Sequence, residues 1–195
     1  MCGQYLDELS LTYPLCRSSY INHMKNKIHP TDVEKVLKQD DFIVAKTDST
    51  GKITYCNRTF IHLSGYSERE LLGSQHNIVR HPDMPRAVFH LLWEKLKEGG
   101  EFFCYINNLC MYGGFYWVFA NLTPTFDPGG KLVGYYSVRR HPSLDALNVI
   151  KPLYQEMLLA ENKAATRGAI QAARVVLNNR LREYGIDYEH FILQI

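Results

Sequence analysis

The chain has 195 residues, of which 46% are hydrophobic and 22% are charged, and its formal net charge is only +2. These totals are typical of a globular protein with one domain of ordinary size plus additional helices. The Lys and Arg residues form no basic cluster, which argues against a nucleic-acid-binding protein. No apolar run has the length of a membrane span and no signal-peptide pattern is visible, so we expect a cytoplasmic location.

The cysteines favour neither a disulfide framework nor a zinc site. Their number is odd, and no C-x-x-C pair occurs among Cys2, Cys16, Cys56, Cys104 and Cys110. Even counts and C-x-x-C pairs are the usual signs of such sites. We therefore expect reduced thiols, several of them in apolar surroundings.

The first 40 residues carry one clear helix signal. Residues 1–30 are weakly patterned, whereas Thr31 and Glu34 have the spacing of a capping box, which predicts a helix over residues 31–39. We predict that residues 1–40 form a helical cap that packs on the main domain or on a second copy of the chain.

Two strands and two short helices are predicted next. Residues 42–48 and 52–56 are rich in β-branched and aromatic side chains and flank a Ser-Thr-Gly turn, which is typical of a hairpin. A short helix is predicted between Asn57 and Gly65, and a second one begins at a capping box formed by Ser67 and Glu70.

A polar segment, residues 76–85, precedes a longer predicted helix over residues 85–98. It contains an Arg, two His, an Asn and an Asp, and two prolines stiffen it. A rigid loop that leads into a helix N-terminus can hold an anion. In the alternative interpretation, Asp83 only caps this helix, and Arg80 and His81 are exposed to solvent.

Three long strands complete the main domain, over residues 101–110, 115–126 and 131–139. Residues between them have turn chemistry. Hairpins at both ends with helices between them predict an α+β fold, in which an antiparallel sheet carries helices on one face. We assign residues 41–140 to this domain.

Residues 141–195 are predicted to form a C-terminal helical extension. Helical patterns cover residues 144–160, where Pro152 marks a kink or restart, and residues 164–181. Heptad regularity is too weak to predict a coiled coil. The helices either pack on their own domain or act in dimerisation or signalling, and the sequence leaves both possibilities open.

The order of these elements, two strands, short helices, a longer helix and three strands, resembles a PAS domain. Residues 47–57 match the start of the PAS motif as T-D-x-x-G-x-I-x-Y-x-N, and Ser64-Gly65-Tyr66 continues it. The polar segment, H-N-x-V-R-H-P-D-M-P, resembles the specific signature of Aer-type aerotaxis PAS domains. The motifs around Tyr116-Trp117-Val118 and Gly134-Tyr135 extend the resemblance to about residue 140.

Aer-type PAS domains bind FAD non-covalently and report redox or energy state to a chemotaxis transducer. The resemblance therefore implies a five-stranded PAS fold, FAD as cofactor, a signalling partner such as a chemotaxis transducer, and a homodimer formed through the flanking helices. It carries the cofactor-binding role to Asn57, Arg80, His81, Asp83, Trp93, Asn108 and Trp117.

The residue types suit a flavin, although each has an ordinary structural alternative. A flavin ring needs flat apolar walls and a few fixed polar groups, which Trp and Asn side chains supply, and Arg80 can pair with the pyrophosphate. Trp93 and Trp117 are also typical core residues, Asn57 can cap the following helix, and Asn108 can face solvent on its strand.

The chain also departs from the family. Residues 107–114 replace a basic, glycine-containing segment, and Phe119 replaces an Arg. The polar segment has no cysteine, so no LOV-type flavin–cysteine adduct is expected. No membrane span or transducer region is visible, which predicts a stand-alone PAS protein.

Two other functions stay open from sequence. A haem-binding gas sensor would use His81 or His90 as axial ligand, and a cofactor-free PAS module would only dimerise or dock. An enzyme is not expected, because no nucleophile–base pair, metal cluster or phosphate loop is visible.

Overall fold

The computed structural model of the chain describes residues 28–195, and its main element is a five-stranded antiparallel sheet. The strand order is β2-β1-β5-β4-β3. The strands are β1 (Ile43–Asp48), β2 (Ile53–Cys56), β3 (Phe102–Leu109), β4 (Phe115–Phe126) and β5 (Leu132–Arg140). The first and last residue of each strand lie within one residue of the predicted bounds. The predicted α+β PAS fold is therefore confirmed.

Six α-helices accompany the sheet in the described part of the chain. They are α1 (Arg58–Ser64), α2 (Glu68–Leu71), α3 (Arg86–Lys97), α4 (Leu144–Lys163), α5 (Ala169–Tyr184) and α6 (Tyr188–Gln194), and a 3-10 turn covers His76–Val79. The predicted signals act at α1 and α2, where Asn57 and Ser67 cap the helices and Gly65 ends α1 with φ of 77°. Pro152 lies inside α4 without ending it. Sequence patterns did not indicate α6.

The predicted helix over residues 31–39 is wrong. Thr31 donates its amide to the Gly113 carbonyl at 2.8 Å, and Phe115 donates its amide to the Val33 carbonyl at 2.9 Å. The first residues of β4 have no β5 partner, because that pairing begins at Phe119. The extended segment therefore satisfies backbone groups of β4 that would otherwise lack partners, and this tertiary pairing outweighs the local capping signal. Residues 1–27 of the predicted cap lie outside the described residues.

The C-terminal helices cover the free edge of β3. Tyr154 of α4 donates its hydroxyl to the Tyr105 carbonyl at 3.0 Å, and Tyr188 of α6 donates to the Phe103 carbonyl at 3.2 Å. An edge strand has a row of backbone groups without strand partners. Side-chain hydroxyls from the extension satisfy two of them here.

A buried carboxylate joins the extension to α3. Glu161 of α4, only 4% exposed, accepts hydrogen bonds from the backbone amides of Arg86 at 3.1 Å and Ala87 at 2.9 Å. These amides belong to the first turn of α3, where no intrahelical acceptor exists. Asp83 was predicted to be the N-cap, but α3 begins after Pro85 and has no side-chain cap of its own, so that prediction is wrong.

We expect Glu161→Ala to lower the free energy of unfolding by about 2 to 3 kcal/mol, because two backbone amides lose a charged acceptor. The measurement is chemical denaturation monitored by circular dichroism. Glu156→Ala on the same helix is the matched control, since the Glu156 side chain is 50% exposed and pairs only with Arg180 at the surface. The control should change stability by less than about 0.5 kcal/mol. Equal losses in both variants would contradict a specific role of Glu161.

Candidate functional site

A cavity of about 270 Å³ lies between one face of the sheet, helix α3 and the polar segment. Its size is close to the lower end of small-molecule sites, which span roughly 300–1,000 Å³. The sheet contributes Ala45, Thr47, Ile106, Asn108, Leu122, Tyr135, Ser137 and Arg139. The remaining walls come from Gly51, Gln75, His76, Asn77, Val79, Arg80, Phe89, Leu92 and Trp93.

Three of the predicted site residues line this cavity: Arg80, Trp93 and Asn108. The Arg80 guanidinium lies 4.3 Å from the centre of the Phe89 ring and donates to the Met84 carbonyl at 3.3 Å. Burial lowers its pKa from the ordinary value, although Arg stays charged at neutral pH. Trp93 packs edge-on against Tyr135 with 5.2 Å between ring centroids.

Asn108 is the predicted residue with the clearest unmet hydrogen-bonding capacity. Its side chain is 3% exposed, and its Nδ2 has no hydrogen-bond partner within residues 28–195. Its backbone forms an isolated antiparallel bridge with Arg80, which ties the polar segment to β3. A buried amide donor without a partner is costly and is rare in folded proteins. Asn108 is therefore available to a molecule bound in the cavity.

The other predicted site residues do not line the cavity. The Asn57 amide is used by the fold, accepting from Val44 and Phe60 amides at 3.1 Å each and donating to the Phe42 carbonyl at 2.7 Å. Trp117 faces the opposite side of the sheet, because Leu122, an odd number of residues further along β4, faces the cavity.

His81 and Asp83 shape the polar segment rather than the cavity wall. The Asp83 amide donates to His81 Nδ1 at 3.1 Å, so this nitrogen carries no proton and the ring is neutral. Burial lowers the pKa of His81, and the nearby Asp83 carboxylate opposes this change only in part. The 3.7 Å contact between His81 Nδ1 and the carboxylate is therefore not an ion pair. The Asp83 side chain is 77% exposed.

Arg139 of β5 lines the cavity wall and was not predicted. Its side chain is only 2% exposed, which is exceptional for Arg. One of its terminal nitrogens, Nη2, lies 2.6 Å from His76 Nε2. The sequence contained one usable signal: strand periodicity places Arg139 on the same face as Ser137, which also lines the cavity.

The contact between Arg139 and His76 fixes the state of the imidazole. Arg has only donors, so His76 Nε2 must accept, and the ring is neutral with its proton on Nδ1. Burial and the Arg139 charge hold the pKa of His76 well below its ordinary value. The ring also stacks on Phe60 of α1, with centroids 5.6 Å apart.

Among residues 28–195, neither cysteines nor clustered metal ligands contribute to the cavity. Cys56, Cys104 and Cys110 are free and buried, and none of them is among the lining residues. Within the part of the chain that the structure describes, no group of three or more His, Cys, Asp or Glu side chains is placed to bind a metal ion. No helix there is long and apolar enough to cross a membrane.

Comparison with known proteins agrees with the fold. Residues 53–139 match the family described as PAS fold. The dark structure of the blue-light photoreceptor Aureochrome1 LOV superposes with a TM-score of 0.51 over 58% of this chain and 83% of that one. The two sequences are 21% identical, so this similarity supports the fold alone.

Two curated relatives are more informative. The aerotaxis receptor of Escherichia coli (strain K12) is 38% identical over 131 residues, which are 66% of this chain and 26% of the receptor. A nitrogen fixation regulatory protein of Klebsiella pneumoniae is 28% identical over 154 residues, which are 79% of this chain and 30% of that protein. The chain thus spans less than a third of the length of either relative.

The five-stranded sheet between Ile43 and Arg140, the helices over one face and the family match over residues 53–139 identify a PAS domain. The identity to the aerotaxis receptor shows which kind it is. It is a PAS domain of the Aer type, as the polar segment predicted.

We expect stability to decrease as the pH falls below about 6.5, the usual pKa of an unfolded histidine. The pKa of His76 is lower in the folded state, so the unfolded state binds more protons in this range and is favoured. Each such histidine contributes a loss of up to about 1.4 kcal/mol per pH unit. Denaturation of wild type and His76→Gln at several pH values between about 5 and 8 measures the effect.

The His76→Gln variant should have a shallower pH dependence than the wild type. His62→Gln is the matched control, because His62 is exposed on α1, and it should keep the wild-type profile. Parallel profiles for wild type and His76→Gln would contradict a neutral His76 in the folded state.

Proposed function

We propose that this chain is a sensor that binds FAD non-covalently in the cavity and relays the redox state of the flavin to a signalling partner. The observation that carries the proposal is a cavity with apolar walls and buried polar groups without partners among residues 28–195. These groups are Asn108 Nδ2, Ser137 Oγ, and Nε and Nη1 of Arg139. The resemblance to Aer-type PAS domains supplies the identity of the cofactor.

The cavity residues fit the needs of a flavin ring. Phe89, Leu92 and Trp93 of α3 provide apolar surface, and Asn108 provides an amide that both donates and accepts. Arg80 lines the same cavity, and a guanidinium fork suits phosphate oxygens, so we assign it to the pyrophosphate. When bound, FAD supplies reversible uptake of electrons.

The remaining predicted residues have supporting roles in this proposal. His81 and Asp83 hold the shape of the polar segment through the contact between their ring and amide nitrogens. Asn57 fixes the start of α1 on β1. Trp117 stands on the opposite face of the sheet, 6.2 Å from Tyr154 of α4 between ring centroids, where it helps to seat the extension.

A contact path leads from the cavity to the C-terminal helices. The Arg80 backbone is bridged to Asn108, and Arg80 contacts Met84 within the polar segment. Two residues later α3 begins, and Glu161 of α4 accepts from its first amides. A change of hydrogen bonding at Asn108 can thus bias the packing of α4, which is the kind of coupling a sensor needs.

The predicted location and assembly remain part of the proposal. We propose a cytoplasmic protein, a chemotaxis transducer or similar signalling protein as partner, and a homodimer formed through the flanking helices. Exposed Leu159 of α4 and Val175 of α5 offer apolar surface for such a dimer.

The geometry favours flavin over haem. Neither proposed axial ligand lines the cavity: His81 Nδ1 accepts from the chain itself, and His90 lies 3.3 Å from Glu94 on the outer side of α3. A cofactor-free module would leave the buried donors of the cavity without partners, which argues against it.

The purified protein, reconstituted with FAD, should show flavin absorbance, and Asn108→Ala should weaken binding by about tenfold through loss of one hydrogen bond. Fluorescence titration of the apoprotein with FAD measures the dissociation constant. Asn107→Ala is the matched control, since Asn107 is also buried but points to the opposite face of β3, and its affinity should stay within about twofold of wild type. Absence of any flavin spectrum under oxidising and reducing conditions would refute the proposal, and a Soret band would replace flavin by haem.

A further inference from the structure

Arg139 is a permanent positive charge with no negative partner in the described chain. Its guanidinium forms no salt bridge with any carboxylate of residues 28–195, and its Nε and Nη1 donate to no described atom. His76 accepts from Nη2 at 2.6 Å, but the neutral ring provides no negative charge. Phe60, 5.5 Å away below the guanidinium, offers only a weak cation–π contact.

The acidic groups nearest to Arg139 are not ionised. Burial raises the pKa of the Cys104 thiol to about 12, and burial raises the pKa of the Tyr116 hydroxyl as well. Both groups are therefore neutral at physiological pH, and neither compensates the guanidinium. A buried, uncompensated charge is among the most destabilising features that a fold can contain.

This charge borders the same cavity as Ser137 and Asn108. Its Nε and Nη1 have no hydrogen-bond partner among the described residues. His76 accepts from Nη2 and thereby holds the guanidinium in place. A rigid cation beside a ligand cavity is well arranged to favour the more negative of two ligand states, because a preorganised charge needs no rearrangement when the ligand charge changes.

We infer that Arg139 contacts the electron-rich edge of the bound flavin and stabilises its reduced, negatively charged form, so that it sets the redox state at which the sensor responds. The inference rests on the proposed function. Uptake of two electrons from a reductant and one proton from solvent leaves a flavin ring with one negative charge. In a spectroelectrochemical titration, the electrode supplies both electrons through mediator dyes. No bond to the protein forms or breaks.

The test compares FAD-loaded wild type with Arg139→Met, Arg139→Lys and Arg140→Met by spectroelectrochemical titration in the presence of mediator dyes. Arg139→Met should shift the ratio of reduced to oxidised flavin at least about tenfold towards the oxidised form, which is about 30 mV for a two-electron couple. Arg139→Lys keeps the charge, so its reduction potential should lie between those of Arg139→Met and wild type. Arg140→Met is the matched control, because Arg140 is exposed and stacks on Phe119, 4.8 Å from the ring centre, on the opposite face.

A second measurement separates this role from a structural one. Without FAD, Arg139→Met should unfold at the same temperature as the wild-type apoprotein or a higher one, since an uncompensated buried charge has been removed. With FAD, the thermal shift should be smaller in the variant than in wild type. A less stable Arg139→Met apoprotein would identify Arg139 as a structural residue and overturn the inference.

The outcomes distinguish the inference from the function on which it rests. If wild type binds FAD and the potential of Arg139→Met is unchanged, the inference is wrong and the proposed function stands. If the reduction potential of Arg139→Lys is as low as that of Arg139→Met, a charge effect is excluded and the inference is wrong. If wild-type apoprotein does not bind FAD, both the proposed function and the inference are overturned.

Discussion

The cavity wall is arranged around the buried charge of Arg139. A guanidinium cannot lose its proton in a protein, so the surrounding groups must adapt to it. His76 is therefore held neutral, with its lone pair towards Arg139, and Phe60 closes the space on the side of α1. These contacts bring the first residue of the polar segment against β5. Further along the same segment, the backbone of Arg80 is bridged to Asn108 of β3.

The extension and the PAS domain form one packed structure rather than two separate units. Glu161 is bonded to the first turn of α3, and tyrosine hydroxyls of α4 and α6 are bonded to carbonyls of β3. Polar contacts of this kind depend on distance and angle, whereas apolar packing tolerates sliding. Small movements of α3 or β3 therefore have a direct effect on the orientation of α4.

The strands were predictable because turns and β-branched or aromatic runs act locally, and the polar segment was predictable because its pattern is so specific. The errors arose where distant partners decide the outcome. Thr31 and Glu34 have a capping spacing, but residues 31–35 pair with the start of β4 instead. Asp83 lies close to the start of α3, yet Glu161, 75 residues beyond Arg86, supplies the acceptor. Among the predicted site residues, alternation along β4 places Trp117 on the face opposite to Leu122, which lines the cavity. Strand alternation could have placed Arg139 on the cavity face, but its burial could not be predicted, because Arg is usually exposed.

The tyrosine hydroxyls that bond to β3 limit where this chain can be truncated. An exposed strand edge is a template on which another chain can add a strand, and proteins usually protect such edges. Tyr154 and Tyr188 provide that protection from outside the sheet. A fragment that ended after β5 would expose the β3 carbonyls and be prone to aggregation through edge pairing. The smallest self-contained unit of this PAS domain therefore includes its helical extension.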